Sequence, residues 1–257
     1  MSRQNELSGH VALVTGANRG IGQTIALELQ RAGAQVVGTA TDTRGAEDIT
    51  TMLNVTASLM EGYQEGLGLK LDLRERDTFP DRLKEIETWA GKPVSLLVNN
   101  AGITRDGLVL RMEPDQFDEV ISVDLAGPFE LTRLVLRGMR RVKSGRVITI
   151  GSVAGLKGNA GQANYAAAKA GLVAANQTMV QEFAGRPVTF NVVAPGYIET
   201  DMTRGLPQEV KDTFVAHTPA RRAGTPQDVA NLVRFLASED ASFINGEVIR
   251  VDGGLGV

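Results

Sequence analysis

Three residues in the second half of the chain are of the types that move a proton to or from a carbonyl oxygen. Tyr165 and Lys169 are four residues apart in a helix-like stretch, so they lie one turn apart on the same helix face. An ammonium group beside a phenol stabilises the phenolate, so such a tyrosine can act as a general acid or a general base. Ser152, thirteen residues before Tyr165, could donate a second hydrogen bond to the same oxygen. Each feature alone also occurs in purely structural settings.

A glycine-rich turn near the N-terminus predicts a binding site for a pyrophosphate. Residues 15–22 read Thr-Gly-Ala-Asn-Arg-Gly-Ile-Gly and lie between a short apolar stretch and a helix-like one. Glycine lets the backbone approach a ligand closely, and a helix N-terminus offers free N–H groups to an anion. The spacing differs from the common dinucleotide pattern, so a turn that binds nothing is the alternative.

The end of the second predicted strand favours NADP(H) over NAD(H). An acidic side chain at that end would bind the ribose hydroxyls of NAD, but the position is occupied by Ala40 or Thr41. Arg19 in the glycine-rich turn could instead bind a 2′-phosphate through its guanidinium group. Asp42 is acidic and would favour NAD(H), but it lies one or two residues beyond the expected position.

Two further positions follow predicted strands, where open α/β sheets bind their ligands. Asp72 is either an acceptor for an adenine amino group or a cap of the strand end. Asn100, Ala101 and Gly102 either belong to the ligand site or form only a turn.

The elements that must position these residues alternate between strand and helix. Short apolar segments predict strands at 11–15, 35–39, 70–73, 94–99, 146–150, 188–193 and 247–251. Helix-like stretches lie at 21–31, 75–89, 115–143 with a break near 125–128, 163–183 and 226–237. The alternation predicts an α/β protein with a doubly wound parallel sheet of about seven strands and helices on both faces. Two segments are predicted excursions from this pattern, 50–68 and a substrate lid at 195–218.

Composition limits the remaining chemistry. The 257 residues contain no linker, repeat or low-complexity tract, which predicts a single domain over 1–257. The absence of cysteine excludes thiol nucleophiles, and two histidines, His10 and His217, argue against a metal site. A net charge of −3 means that the chain has no overall excess of positive charge with which to bind nucleic acid. No apolar run is long enough for a membrane helix and the N-terminus has no signal core, so we expect a cytoplasmic protein.

In their order and spacing these motifs resemble those of the short-chain dehydrogenases/reductases. The resemblance extends over essentially the whole chain, through 15–22, 99–106, 150–153, 161–172 and 191–203. It is strongest to members that act on acyl carrier protein in fatty acid synthesis. It implies a single-domain Rossmann-type fold, hydride transfer from NADPH to the 3-keto group of an acyl thioester, and a homotetramer.

The resemblance also implies a role for each residue by its position. Tyr165 would donate the proton, Lys169 would assist it and hold the nicotinamide ribose, and Ser152 would orient the substrate carbonyl. Tyr165 and Lys169 are therefore predicted cofactor contacts as well. The other predicted cofactor contacts are Gly16, Asn18, Arg19, Gly20, Ile21, Gly22, Thr41, Asp72, Leu73, Asn100, Ala101, Gly102, Pro195, Gly196, Ile198 and Thr200.

Asp124 departs from the family pattern, which has an asparagine whose backbone carbonyl holds a relay water. Aspartate is nearly isosteric with asparagine but adds a charge and loses two donors. Because the backbone carbonyl is kept, we expect Asp124 to belong to the catalytic group. Its carboxylate could also pair with Lys169 and reduce activity. The alternatives are a reductase for another ketone or alcohol and a weakly active nucleotide-binding homologue.

A basic cluster in this net acidic chain is either a solvated helix face or a docking surface for an acidic partner. Its members are Arg133, Arg137, Arg140, Arg141, Lys143, Arg146 and Arg186. With the resemblance, we favour docking of acyl carrier protein.

Overall fold

Seven parallel strands form one sheet in the computed structural model, which describes residues 6–59 and 64–256. The strands are β1 (Val11–Val14), β2 (Gln35–Ala40), β3 (Leu67–Lys70), β4 (Leu96–Asn99), β5 (Gly145–Ile150), β6 (Val188–Pro195) and β7 (Val248–Val251). Their spatial order is β3-β2-β1-β4-β5-β6-β7, so the direction of winding reverses between β1 and β4. Such a switch point opens a crevice for ligands at the carboxyl ends of the strands.

Ten α-helices occur in the described ranges. They are α1 (Gly20–Arg31), α2 (Thr43–Ser58), α3 (Phe79–Ala90), α4 (Pro114–Ile121), α5 (Gly127–Val142), α6 (Ala154–Lys157), α7 (Ala163–Glu182), α8 (Asp201–Arg204), α9 (Gln208–His217) and α10 (Pro226–Ala237). None of the described helices is long and apolar enough to cross a membrane.

Helices cover both faces of the sheet. Alternate residues of each strand face opposite sides, so each strand contributes side chains to both cores. On β1, Ala12 and Val14 pack in a core with α1, α2 and α10. Val11 and Leu13 pack on the other side with α3, α5 and α7. Burial on both faces accounts for the nearly continuous apolar sequence of the central strands. The predicted α/β class and doubly wound parallel sheet are confirmed.

The third strand lies earlier than predicted. It spans Leu67–Lys70 instead of 70–73, and Lys70 pairs with Ala40 of β2. The interpretation of 50–68 as an excursion is wrong, because α2 continues to Ser58; residues 60–63 lie outside the described ranges. The strand signal is weak because Gly68 faces α2 so closely that a Cβ there would lie 1.8 Å from the carbonyl oxygen of Ala46.

The predicted break near 125–128 is a π-helical turn, Ser122–Ala126, which joins α4 to α5 without leaving the helical path. The N–H of Gly127 donates to the carbonyl of Ser122, five residues earlier. Pro128 follows and has no N–H to donate to the carbonyl of Asp124. The π-helical turn therefore changes which side chains face the sheet, and it buries Val123 and Asp124.

Replacing Gly68 with alanine tests the contact between α2 and β3. The new methyl group has no space beside the backbone of Ala46, so we expect the free energy of unfolding to fall by about 3 kcal/mol in urea denaturation. Gly205→Ala is the matched control, because no atom lies within 4 Å of a Cβ at Gly205 and the residue has an ordinary φ of −74°. Equal stability of the two variants would contradict the described packing.

Candidate active site

A cleft of about 470 Å³ opens at the carboxyl edge of the sheet, at the switch point between β1 and β4. Every residue predicted to contact the cofactor lines this cleft, and so does Ser152. Asp124 lies behind the lining residues and is fully buried. The fold thus brings together residues that are up to 187 positions apart, from Gly16 to Thr203. No group of His, Asp or Glu among the described residues has the arrangement of a metal site.

The glycine-rich turn after β1 is held by residues at the end of β4. The side-chain amide of Asn100 donates to the carbonyl oxygens of Thr15 and Gly16, at 2.8 and 3.1 Å. The hydroxyl oxygen of Thr15 accepts the N–H groups of Asn100 and Ala101, each at 3.0 Å. A Cβ at Gly22 would lie 2.2 Å from the carbonyl oxygen of Gly16. Glycine at position 22 is therefore a requirement of the turn itself, and Asn100 fixes its shape.

The N-terminus of α1 has the chemistry of an anion site. Arg19 occupies the N-cap position without a side-chain cap, and the first turn contains no acidic residue. The first N–H groups of the helix therefore remain available, at the positive end of the helix dipole. Arg19 is exposed at the cleft and forms no ion pair with any described residue. These groups fit the pyrophosphate of a dinucleotide.

Asp42, the acidic residue that would favour NAD(H), has a structural partner. Its carboxylate accepts the N–H of Gly45 at 2.7 Å and caps α2. Thr41, one residue earlier, is exposed and lines the cleft. The end of β2 thus offers the cleft a hydroxyl group and not a free carboxylate.

Asp72 is bound by Arg74, a residue that sequence reasoning missed. The guanidinium group of Arg74 donates to both carboxylate oxygens at 2.6 to 3.1 Å, and its backbone N–H donates at 2.9 Å. These hydrogen bonds lower the pKa of Asp72 below its usual value. Asp72 therefore stays ionised and stabilises the turn after β3, while its contact with adenine stays a prediction.

Two more cleft residues were missed because their contacts are far apart in the sequence. Glu119 on α4 accepts two hydrogen bonds from Arg105, at 2.8 and 3.1 Å, and lies 3.6 Å from Arg74. These residues extend the ion pair of Asp72 and Arg74 along the wall of the cleft. No local spacing or motif indicates this network.

Ser152 and Tyr165 face the cleft from the loop after β5 and from the start of α7. Ser152 lies two residues after the end of β5, and its hydroxyl oxygen accepts the N–H of Ala154 at 3.1 Å. Its own proton therefore remains available for a ligand oxygen. Tyr165 lies in the first turn of α7, where the buried Asn164 donates to the carbonyls of Arg105 and Gln116, at 2.9 and 3.1 Å. These bonds fix the start of α7 against α4 and the loop after β4.

Lys169 and Asp124 form a buried ion pair behind Tyr165. The Nζ of Lys169 lies 3.2 Å from Oδ2 of Asp124, 5.4 Å from the ring centroid of Tyr165, and 3.3 Å from the carbonyl of Ile150, to which it donates. Oδ1 of Asp124 accepts the N–H of Ile103 at 2.8 Å. Burial raises the pKa of Asp124, and Lys169 only partly opposes this. Burial alone would lower the pKa of Lys169, but the charge of Asp124 raises it above its usual value. Lys169 therefore remains an ammonium group.

Comparison with known proteins identifies the family of this chain. Residues 16–256 match the family model described as "Enoyl-(Acyl carrier protein) reductase". Together with its similarity to the relatives below, this match shows that the chain belongs to the short-chain dehydrogenase/reductase family, as the motifs predicted.

Three curated relatives are similar to the chain over nearly its whole length, and each is named 3-oxoacyl-[acyl-carrier-protein] reductase FabG. The protein from Salmonella typhimurium strain LT2 is 47% identical over 247 residues, which is 96% of this chain and 97% of the relative. The protein from Pseudomonas aeruginosa is 46% identical over 249 residues, or 97% of this chain and 98% of the relative. The protein from Escherichia coli strain K12 is 46% identical over 247 residues, or 96% and 97%.

The buried ion pair predicts a specific pattern of stability in a double-mutant cycle. Lys169→Met leaves the carboxyl of Asp124 buried without its partner, so we expect a loss of about 3 kcal/mol in unfolding free energy at neutral pH. Adding Asp124→Asn should restore at least half of that loss. Urea denaturation measures both.

Tyr165→Phe is the control for this cycle, because it leaves the ion pair intact and should change stability by no more than about 0.5 kcal/mol. If the losses of the two single variants simply add in the double variant, the two charges do not interact and the pair is not formed.

Proposed function

We propose that this chain reduces the 3-oxo group of an acyl chain on acyl carrier protein to a 3-hydroxyl group, with NADPH as the reductant. One observation carries the proposal: Ser152, Tyr165 and Lys169, which pairs with Asp124 behind it, line a cleft that also contains the glycine-rich turn. The names of the three relatives support the choice of substrate.

The residues around the cleft would act on the carbonyl oxygen of the substrate. Membership of the family implies a nicotinamide cofactor, which supplies a hydride when it is bound. Ser152 donates a hydrogen bond to the carbonyl oxygen of the substrate. Its hydroxyl proton is available for this because the hydroxyl oxygen acts as the acceptor for the N–H of Ala154. Tyr165 transfers its phenolic proton to the same oxygen as negative charge develops there. The ammonium group of Lys169 stabilises the phenolate that remains.

Asp124 would act through Lys169 and through its own backbone. Its carboxylate keeps Lys169 charged and fixes its Nζ beside Tyr165. Its carbonyl receives no hydrogen bond from the N–H of residue 128, because that residue is a proline. Because Asp124 is fully buried, this carbonyl could hold a water that resupplies the proton of Tyr165 only after the surrounding side chains move.

Two observations support NADP(H) as the cofactor. Arg19 reaches the cleft without an ion-pair partner among the described residues, and it matches a 2′-phosphate in charge and geometry. Asp42 is engaged in capping α2, so its carboxylate does not compete as a ligand for the ribose hydroxyls.

Part of the basic cluster is suited to dock an acidic carrier. Arg146 does not belong to it, which corrects the sequence interpretation, because it is buried and pairs with Glu239 at 2.9 Å. Arg133 and Arg141 are paired with Glu130 and Glu87. The exposed members without an ion pair among the described residues are Arg137, Arg140, Lys143 and Arg186. We propose that these four face acyl carrier protein.

The assembly and location of the protein are part of the proposal. We propose a homotetramer, supported by large apolar side chains that are exposed in the single chain, among them Phe235 on α10 and the fully exposed Phe243. A cytoplasmic location agrees with synthesis on a soluble carrier.

The description of the matching family model motivates a second candidate function. It names an enoyl reductase, which would reduce a carbon–carbon double bond on the same carrier. The same cofactor and carrier would serve both reactions, so the experiment must offer both substrates.

The decisive experiment follows NADPH oxidation with 3-oxoacyl-ACP and, separately, with 2-enoyl-ACP. We expect turnover with the 3-oxo substrate only, and a fall of about 10³ in kcat for Tyr165→Phe because the proton donor is lost. Turnover with the enoyl substrate alone would support the second candidate. NADPH binding without turnover of either substrate would overturn both and favour a different ketone or a binding homologue.

Arg19→Ala tests the choice of cofactor. Loss of a charged hydrogen bond to the 2′-phosphate should lower kcat/KM for NADPH by about 30-fold and leave kcat/KM for NADH within about twofold. Arg76→Ala is the control, since Arg76 is exposed and does not line the cleft. An equal loss with both cofactors would contradict a 2′-phosphate contact.

A further inference from the structure

The predicted lid, 195–218, leaves and rejoins the body of the protein at neighbouring points. The N–H of Gly224 donates to the carbonyl of Tyr197, and the N–H of Glu199 donates to the carbonyl of Gly224, both at 2.9 Å. Beyond the lid, Arg222 forms an ion pair with Asp228 of α10 at 2.7 Å. Because both ends are fixed, any movement is confined to residues 200–221 between them. We term residues 200–217 the lid segment.

The lid segment combines cleft residues with a weakly held helix. Thr200 and Thr203, at its start, line the cleft. No residue of α9, at its end, is buried. The ring of Phe214 in α9 stacks on Tyr197 with centroids 5.0 Å apart. A helix without buried side chains belongs to the part of a protein that opens most easily, and here its opening would move residues of the cleft wall.

The chain leaves α9 through residues 218–221, which rest on two glycines near the C-terminus. The N–H of Ala220 donates to the carbonyl of Gly253 at 3.0 Å. A Cβ at Gly253 would lie 2.8 Å from Cγ2 of Thr218, and one at Gly254 would lie 2.9 Å from Cγ of Pro219. Both glycines have positive φ, +59° and +90°. The surface beneath residues 218–221 is therefore bare backbone, in a conformation that few other residues adopt.

Arg221 joins this segment to α9. Its φ is +55°, a left-handed conformation that is strained for a non-glycine residue. Its guanidinium group donates to the carbonyl of Ala216 in the last turn of α9. Carbonyls in the last turn of a helix have no partner within the helix, and a cation there interacts favourably with the helix dipole. Arg221 thus sets the backbone of residues 218–221 and also holds the end of α9.

We propose that residues 218–221 are the hinge of a substrate lid, and that Arg221 is the positioning residue that holds α9 in place. The identity of the substrate under the lid rests on the proposed function, but the hinge does not. Arg221 does not line the cleft. Its removal should therefore loosen the lid segment and weaken substrate binding without changing the groups that move the proton or hydride.

Hydrogen exchange of the ligand-free protein tests the hinge directly. Arg221→Asn is the informative variant, because asparagine tolerates the left-handed conformation but is too short to reach Ala216. We expect amide exchange in α9 to rise about tenfold, the effect of losing one charged hydrogen bond, with exchange in β4 and β5 unchanged. Gly253→Ala disturbs the hinge from the opposite side and should give the same pattern.

Lys143→Asn is the matched control for exchange, because Lys143 is the other non-glycine residue with positive φ among the described residues and lies outside the lid. It should leave exchange in α9 unchanged. Unchanged exchange in α9 for Arg221→Asn, or an equal rise across the sheet, would overturn the hinge.

Kinetics with 3-oxoacyl-ACP test the second half of the proposal. For Arg221→Asn we expect KM for the acyl substrate to rise about three- to tenfold, with kcat within about twofold. Faster exchange in α9 with an unchanged KM would overturn the role as a substrate lid. If the wild-type protein does not turn over this substrate, the proposed function fails, while the exchange result still decides whether the hinge exists.

Discussion

The buried ion pair of Lys169 and Asp124 is the interaction around which the site is arranged. A buried ammonium group needs a compensating charge, and a buried carboxylate needs the same. Asp124 is brought to this position by a π-helical turn, and Gly102 must lack a side chain beside it. A Cβ at Gly102 would lie 2.6 Å from Oδ2 of Asp124 and 3.3 Å from Nζ of Lys169. The loop after β4, the π-helical turn and α7 are therefore packed around one pair of charges.

The parallel sheet supplies the rest of the site, because its strands end at one edge. Residues that follow β1 and β4 interlock at the switch point, where Asn100 holds the carbonyls of Thr15 and Gly16. This leaves the N-terminus of α1 uncapped and directed at the cleft. The positive end of that helix and the proton-transfer residues thus share one crevice, as binding a dinucleotide next to a carbonyl substrate requires.

Much of the fold and of the site could be predicted from patterns among residues that are close together in the sequence. The four-residue spacing of Tyr165 and Lys169 requires only that the segment be helical, and the glycines of the turn are required by its backbone geometry. The third strand was misplaced because Gly68, which must be small to pack on α2, weakens its apolar pattern. The ion pairs of Glu119 with Arg105 and Arg74 join distant segments, so no spacing indicates them. Arg146 belongs to a run of basic residues that are otherwise exposed, so the sequence predicts a surface position, whereas β5 buries it.

Hydride transfer to the carbonyl carbon is tested by following the transferred hydrogen. NADPH that carries deuterium at both C4 positions of the nicotinamide ring is incubated with the protein and 3-oxoacyl-ACP or, in a parallel reaction, 2-enoyl-ACP, and the acyl products are analysed by mass spectrometry. We predict a 3-hydroxyacyl product with deuterium on C3, because the hydride adds to the carbon whose oxygen faces Ser152 and Tyr165. A product without deuterium at C3, or deuterium found only in a saturated chain formed from 2-enoyl-ACP, would contradict it.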